Sequence, residues 1–440
     1  MKKQSNNISE FHDVSLGKEG AKLDIKMLYF LFSYAPVNTV GTFRNLKFSK
    51  YFERHGFKQY IFTGEFKENI DIGLNAQVPI SATIYRKKVF PYQPKLFNAM
   101  KLKPTFFSQL KYSIKDIFFS PDKHVWWVLS YLPQMIKVVR KEKINIVMVS
   151  CPDASLFLAG YFLKKLFRVK LVFDYRDPWN DCSFLPNITK IRRLIMNFWQ
   201  RTCVKNADLI ISAHESVSEQ LIKDFRPKAK TLFIPNGFDS EDLKEIFAQE
   251  QKRKDKFTFF YAGKYLVSNT AYDPTMLLTA FNAFIERYEL SNCELVLVGL
   301  TDEATKDYIK SINKKHIIYH DLKPKTEVFE MQYQADALIH FFYPNTSKEL
   351  INMKVREYAI FQKPIICFNV KEGALFDFLE ENKLGATADT HDIEDMINLF
   401  HKAYTKNIEI GSNPKEQLKE YDIEYLTSII VDNIYQLFTE

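Results

Sequence analysis

The sequence has few of the features that would place it in several common classes of protein. Its five cysteines, Cys151, Cys182, Cys203, Cys293 and Cys367, are odd in number, scattered and without any C-x-x-C spacing. That pattern excludes a disulfide framework, argues against a zinc site and reads as free thiols in a reducing compartment. No apolar run is long enough for a bilayer, since the stretches at 27–37 and 154–167 are too short or too interrupted. Residues 1–19 are polar and lack the charged, apolar and small regions of a secretory signal, which predicts a cytoplasmic protein. No Asp-x-Asp pair follows a strand pattern, so nothing demands a metal ion.

What is present describes a globular protein. A length of 440 residues exceeds one ordinary core and fits two domains. The 46% hydrophobic and 26% charged content excludes disorder over most of the chain. A net charge of +8 favours anionic partners without naming one, and aromatics reach 15%.

The chain alternates between short apolar runs and amphipathic segments. After a polar tail (1–20), 25–33 reads as a buried strand. A loop with one glycine, Gly41, and then Arg44 leads into a helix carrying Phe48, Tyr51 and Phe52. A strand, a glycine turn and a helix N-terminus form an anion site, because the first backbone N–H groups of a helix are unpaired. An ordinary strand-to-helix turn reads the same way. Strand, helix and strand follow at 144–150, 154–167 and 170–175, a βαβ unit that makes the sheet parallel. Arg176 and Asp177 come directly after the last of these, at a carboxyl end where ligands bind in open sheets. Arg176 suits a phosphate or acceptor oxygen and Asp177 a hydroxyl, with a salt-bridged loop as the alternative. A second alternation starts at 257–262, with Lys264 at its carboxyl end, and closes at 337–342.

Glu349 and Glu357 then stand with seven residues between them within SKELINMKVREYAIFQKPII. On a helix, both carboxylates would project near the same end and face. Taken alone, the pair is equally readable as solvated helix charge. Lys363 and Pro364 stop the helix before the apolar run 365–368.

These segments resemble retaining, bacterial-type glycosyltransferases of family 4, which have the GT-B fold. The E-x7-E pair and the Lys354-x-x-Glu357-Tyr358 frame are similar to that family's donor-sugar motif. DYRDPW at 174–179, Asp122 and Trp126 in a D-x3-W frame, the ADLII segment at 207–211 and IPNGFD at 234–239 match its first domain. The resemblance implies an α/β fold of two doubly wound Rossmann-like domains facing across a cleft. The acceptor domain would span 21–240 and the nucleotide-sugar domain 241–412, with a last helix in 413–440 crossing back to the first.

The resemblance also assigns roles. Glu357, Lys354, Lys264, Gly41, Arg44 and Asn236 would bind the donor, while Glu349, Asp177 and Arg176 would serve catalysis. Asn269 stands where the family commonly has a second lysine, a departure at one phosphate contact. The implied activity is metal-independent transfer of a sugar from a nucleotide sugar, UDP- or GDP-linked, to a glycan or lipid-linked acceptor in surface polysaccharide or glycoconjugate synthesis, with no further cofactor. A sugar-nucleotide 2-epimerase and a degenerate binding protein of the same fold are the alternatives.

Residues 86–115 are basic and aromatic without any Asp or Glu. That composition suits an anionic membrane surface, which would place the protein on the inner membrane face. It also fits a solvated insertion whose aromatics pack downward. RNA would suit it too, but no RNA-binding signature accompanies it, so no nucleic-acid partner is expected.

Overall fold

The computed structural model describes residues 24–90, 118–151, 153–179, 190–251, 255–269, 272–312, 315–341, 351, 353–368, 372–389, 392–411 and 418–439. The first part of the chain runs β1 (Lys26–Leu31), α1 (Val40–Arg54), β2 (Lys58–Glu65), a 3-10 turn (Ile72–Gln77) and β3 (Thr83–Lys88). It continues through α2 (Val125–Glu142), β4 (Ile146–Ser150), α3 (Ser155–Phe167), β5 (Lys170–Tyr175), α4 (Lys190–Asn206), β6 (Leu209–Ser212), α5 (Glu215–Phe225) and β7 (Lys230–Phe233). These strands form one sheet in the order β3-β2-β1-β4-β5-β6-β7.

The second part begins with α6 (Ser240–Phe247), β8 (Phe257–Lys264), α7 (Thr275–Arg287), β9 (Cys293–Leu300), α8 (Glu303–Ile312) and β10 (Ile317–His320). It then gives α9 (Lys325–Gln334), β11 (Ala337–Phe341), α10 (Met353–Ala359), β12 (Ile365–Phe368), α11 (Ala374–Glu381), β13 (Gly385–Ala388), α12 (Ile393–Tyr404) and α13 (Ile423–Gln436). Its sheet has the order β10-β9-β8-β11-β12-β13. All pairings within both sheets are parallel.

Parallel strands covered on both faces must be apolar throughout, and the central ones are: Met27 to Leu31 of β1 have no exposed surface. Each sheet therefore separates two apolar clusters. Ile423, Leu426, Ile430, Val431 and Ile434 of α13 belong to the cluster built on β1 and α1, so the last helix packs on the first sheet. Leu243 and Ile246 of α6 pack instead with the second sheet. The two halves are pinned near Gly237, where Phe238 N donates to Tyr421 O at 3.1 Å and Ile423 N to Phe238 O at 2.8 Å. A Cβ on Gly237 would stand 2.0 Å from the Tyr421 carbonyl oxygen, so only glycine admits this approach.

Each sheet has one point where strand order reverses, between β1 and β4 in the first and between β8 and β11 in the second. Crevices at the carboxyl ends of strands open at such points. One reading needs correction: Arg86, Lys87 and Lys88 are the end of edge strand β3 and not the start of a separate insertion. Arg86 donates to Ala35 O at 2.6 Å and Lys87 to Ser130 O at 2.8 Å, so both cations are spent inside the domain. Residues 91–115 of that stretch lie outside the described residues. No helix among the described residues is long and apolar enough to cross a membrane.

Candidate functional site

On the first domain, the turn after β1 is tied down by hydroxyls. Thr39 caps α1, accepting from Thr42 N at 3.3 Å, and its Oγ1 lies 3.0 Å from Ser33 Oγ. The first turn of the helix is thereby fixed at the sheet edge. Gly41 lies in that turn with the guanidinium of Arg176 against it. Arg176 in turn donates to Asp177 Oδ2 from Nε and Nη2, at 3.1 and 3.0 Å. Gly41, Arg176 and Asp177 thus form one group, with Asp177 about half exposed and Arg176 mostly covered.

Arg44 and Asn236 are brought together, but in a structural clamp. Arg44 gives Nε and Nη2 to the Asp174 carboxylate at 3.4 and 3.1 Å, Nη1 to Pro235 O and Asn236 Oδ1 at 3.0 and 3.1 Å, and Nη2 again to Ile234 O at 2.9 Å. Those bonds engage all five N–H donors of a guanidinium, leaving none for a phosphate. Asp174 has no exposed surface and also accepts from Ser150 Oγ at 2.8 Å. The first carboxylate of DYRDPW therefore anchors the domain, and Trp179 packs on Phe157 with ring centroids 5.5 Å apart.

Asp122 has a similar duty. It accepts from Ser155 N at 2.6 Å, Ser155 Oγ at 2.8 Å and His124 N at 2.9 Å, joining the entrance of α2 to that of α3. Burial, with the neighbouring Asp153 charge, raises its pKa to about 6. Asp122, His124 and Asp153 form a group whose potential ligand atoms lie within 4.8 Å of one another. Within it, His124 Nδ1 sits 3.0 Å from Asp153 Oδ1.

On the second domain, β8 ends in Gly263 and Lys264 at the switch point. The Lys264 ammonium lies 5.0 Å from the Tyr272 ring centroid and the Lys354 ammonium 5.4 Å from that of Tyr261. A Cβ on Gly263 would stand 2.6 Å from Lys354 Nζ, so the bare backbone makes room for that ammonium. Burial pushes the Lys354 pKa down to about 8, with the like charge of Lys264 adding to the shift and the Glu357 carboxylate opposing it. Lys264, Lys354 and Glu357 therefore lie within electrostatic reach of one another. Helix α10 is held in place by Tyr358, whose buried hydroxyl accepts from Ala262 N at 3.2 Å. Asn269 lies in the turn after β8, its N–H donating to Leu266 O at 3.1 Å. Glu349 lies outside the described residues.

Sequence reasoning missed Lys325, at the start of α9. Its Nζ donates to Glu357 Oε1 at 2.8 Å and stands 4.4 Å from the ring centroid of Phe43 on α1. It marks a cavity between the domains lined by Phe43, Arg44, Asn236, Lys325 and Glu357. No local signal in the sequence singles Lys325 out, since it is one lysine near the start of a polar helix. His214 is partly buried where β6 meets α5, and burial lowers its pKa while the Asp177 charge opposes that shift.

Residues 46–242 match the family model Glycosyltransferase Family 4. Sucrose-phosphate synthase from Thermosynechococcus elongatus superposes with a TM-score of 0.63 at 13% identity, covering 94% of this chain and 99% of that one. Anabaena HepE in complex with UDP gives 0.59 at 12% identity, covering 94% and 100%. WaaG, a glycosyltransferase involved in lipopolysaccharide biosynthesis, gives 0.55 at 11% identity, covering 92% and 98%. No curated protein sequence matches the chain.

Proposed function

We propose, for a chain that is a family 4-like glycosyltransferase of the GT-B fold, that it moves a sugar from a UDP- or GDP-linked donor to a glycan or lipid-linked acceptor in surface polysaccharide or glycoconjugate synthesis, with retention and without a metal ion. The observation carrying this reading is the grouping of Lys264, Lys354 and Glu357 at the switch point of the second sheet. Two ammonium groups beside a strand end suit a diphosphate, and they stabilise the charge that develops as it leaves. Glu357, an acceptor only when ionised, suits the two ribose hydroxyls. Lys354 takes up the phosphate contact that Asn269 does not supply. Across the cleft, Arg176 and Asp177 would receive the acceptor hydroxyl, and Glu349 would face the sugar ring. UDP is bound by the structurally similar HepE, which favours a uridine donor here.

The test is the thermal midpoint of the purified chain with UDP, GDP, ADP and CMP and their sugars, because a ligand specific to the native state raises it. One nucleotide diphosphate should shift it selectively. Its sugar should then be transferred in the presence of a chelator, with the product anomer read by NMR. No shift with any of them at millimolar concentration would overturn the donor site, and turnover of the nucleotide sugar without acceptor would point to an epimerase.

A further inference from the structure

Away from the cleft, α4 carries a face that the described fold leaves uncovered. Its inward residues Met196, Cys203 and Val204 are buried. Ile191, Leu194 and Phe198 expose 41, 70 and 61% of their surface, and their spacing of three and four residues aligns them on one stripe. The same helix holds Lys190, Arg192, Arg193, Arg201 and Lys205 and no acidic residue. Arg192 Nη2 donates to Pro121 O at 3.3 Å, setting the first turns of α4 beside a segment that exposes Phe118 and Trp126.

We propose that this face docks on an anionic lipid bilayer, with α4 lying in the plane of the interface. Ile191, Leu194 and Phe198 enter the boundary between headgroups and acyl chains, and Lys190, Arg201 and Lys205, the cations nearest that stripe, meet the lipid phosphates. An interfacial helix needs both an apolar stripe and a basic border, and α4 supplies them within 17 residues. A second copy of the chain fits less well, because two such faces would set like charges against one another. In sequence, this segment is distinct from the basic stretch at 91–115.

The experiment is sedimentation of the full chain with vesicles of phosphatidylcholine alone or mixed with phosphatidylglycerol. The chain should bind the mixed vesicles, and less so at high salt. L194E/F198E and R201E/K205E should each weaken that binding by about tenfold or more. Thermal midpoints and the nucleotide-induced shift should stay as in the parent chain, which separates this outcome from failure of the donor site. Undiminished binding in both variants, or no binding by the parent chain, would overturn the proposal. Loss of binding only in K101E/K103E/K111E would do the same, as would a dimer of the parent chain that L194E/F198E abolishes.

Discussion

The guanidinium of Arg176 rests against the backbone of Gly41, so closely that a Cβ on that glycine would stand 1.5 Å from Nη1. Gly41 is helical and its backbone needs no special conformation. What it provides is room for the arginine. Gly41→Ala should therefore leave the fold intact and, by helix propensity, stabilise it by up to about 1 kcal/mol. The same change must move Arg176 off its seat. Sugar transfer should fall about 10- to 100-fold, as it should in Arg176→Ala, because small displacements of positioning groups are costly. Steady-state kinetics beside a urea melt reads both effects, and full activity in Gly41→Ala would remove Arg176 from the site.

Lys325 and Glu357 give a second pair. A charge-assisted hydrogen bond holds Glu357 Oε1, and among the described residues no hydrogen bond reaches Oε2. Such a bond contributes about 1.5–3 kcal/mol. Lys325→Met should accordingly weaken donor binding about 10-fold or more while the chain stays folded. Glu357→Gln should abolish transfer, because the amide offers a donor where the ribose needs an acceptor. Calorimetric titration with the selected nucleotide sugar checks the first and a sugar-transfer assay the second, and unchanged transfer in Glu357→Gln would sink the assignment.

The alternation of elements was legible because buried parallel strands must be apolar. The runs 170–175 and 365–368 coincide with β5 and β12. The strand β3 was not legible: its exposed edge carries Tyr85, Arg86, Lys87 and Lys88, and alternation is lost among cations. The placement of Arg176 and Asp177 just after β5, and of Lys264 at the end of β8, was readable by position. Arg44 shows the limit. A cation in the first turns of a helix after a strand looks like an anion ligand, and only tertiary structure reveals that Asp174 and three residues of the 234–236 turn occupy it. Lys325 shows the converse, since its partner Glu357 is 32 residues away.

Lys354 makes a pH prediction. Its ammonium is held to a pKa of about 8 by burial, then by Lys264. Only the charged form attracts the diphosphate, so affinity for a nucleotide sugar should decline as pH rises from about 7 to 9. The diphosphate of a nucleotide sugar loses no proton in that range. Lys354→Arg keeps its charge and should flatten the profile. Lys354→Met should bind weakly at every pH. A parent profile that is flat over this range would exclude Lys354 from the phosphate site.

The hinge between the sheets carries its own acidic clasp. Asp239 caps α6 through Glu241 N at 3.0 Å and accepts from Tyr51 Oη and Lys50 Nζ, both at 2.7 Å. Lys47 stands 2.8 Å away and is also paired with Asp242. Burial alone would raise the Asp239 carboxyl, but the Lys47 ammonium and the hydrogen bonds outweigh it and hold the group well below the usual range. Beside it, hydrogen bonds from Arg54 and Lys50 lower Glu241 to about 2. Both pKa values are depressed on folding, so their contribution to stability is fully present above the unfolded values near about 4. It is lost as pH falls through the folded values, from about 4 down to about 2 and below. Asp239→Ala should cost about 3 kcal/mol at neutral pH, since it strips buried cations of a partner. The variant should also lose less of its remaining stability on acidification than the parent chain does. Urea melts at pH 7 and at pH 3 measure both quantities, and an acid loss identical in the two chains would show that the clasp does not govern the stability of the hinge.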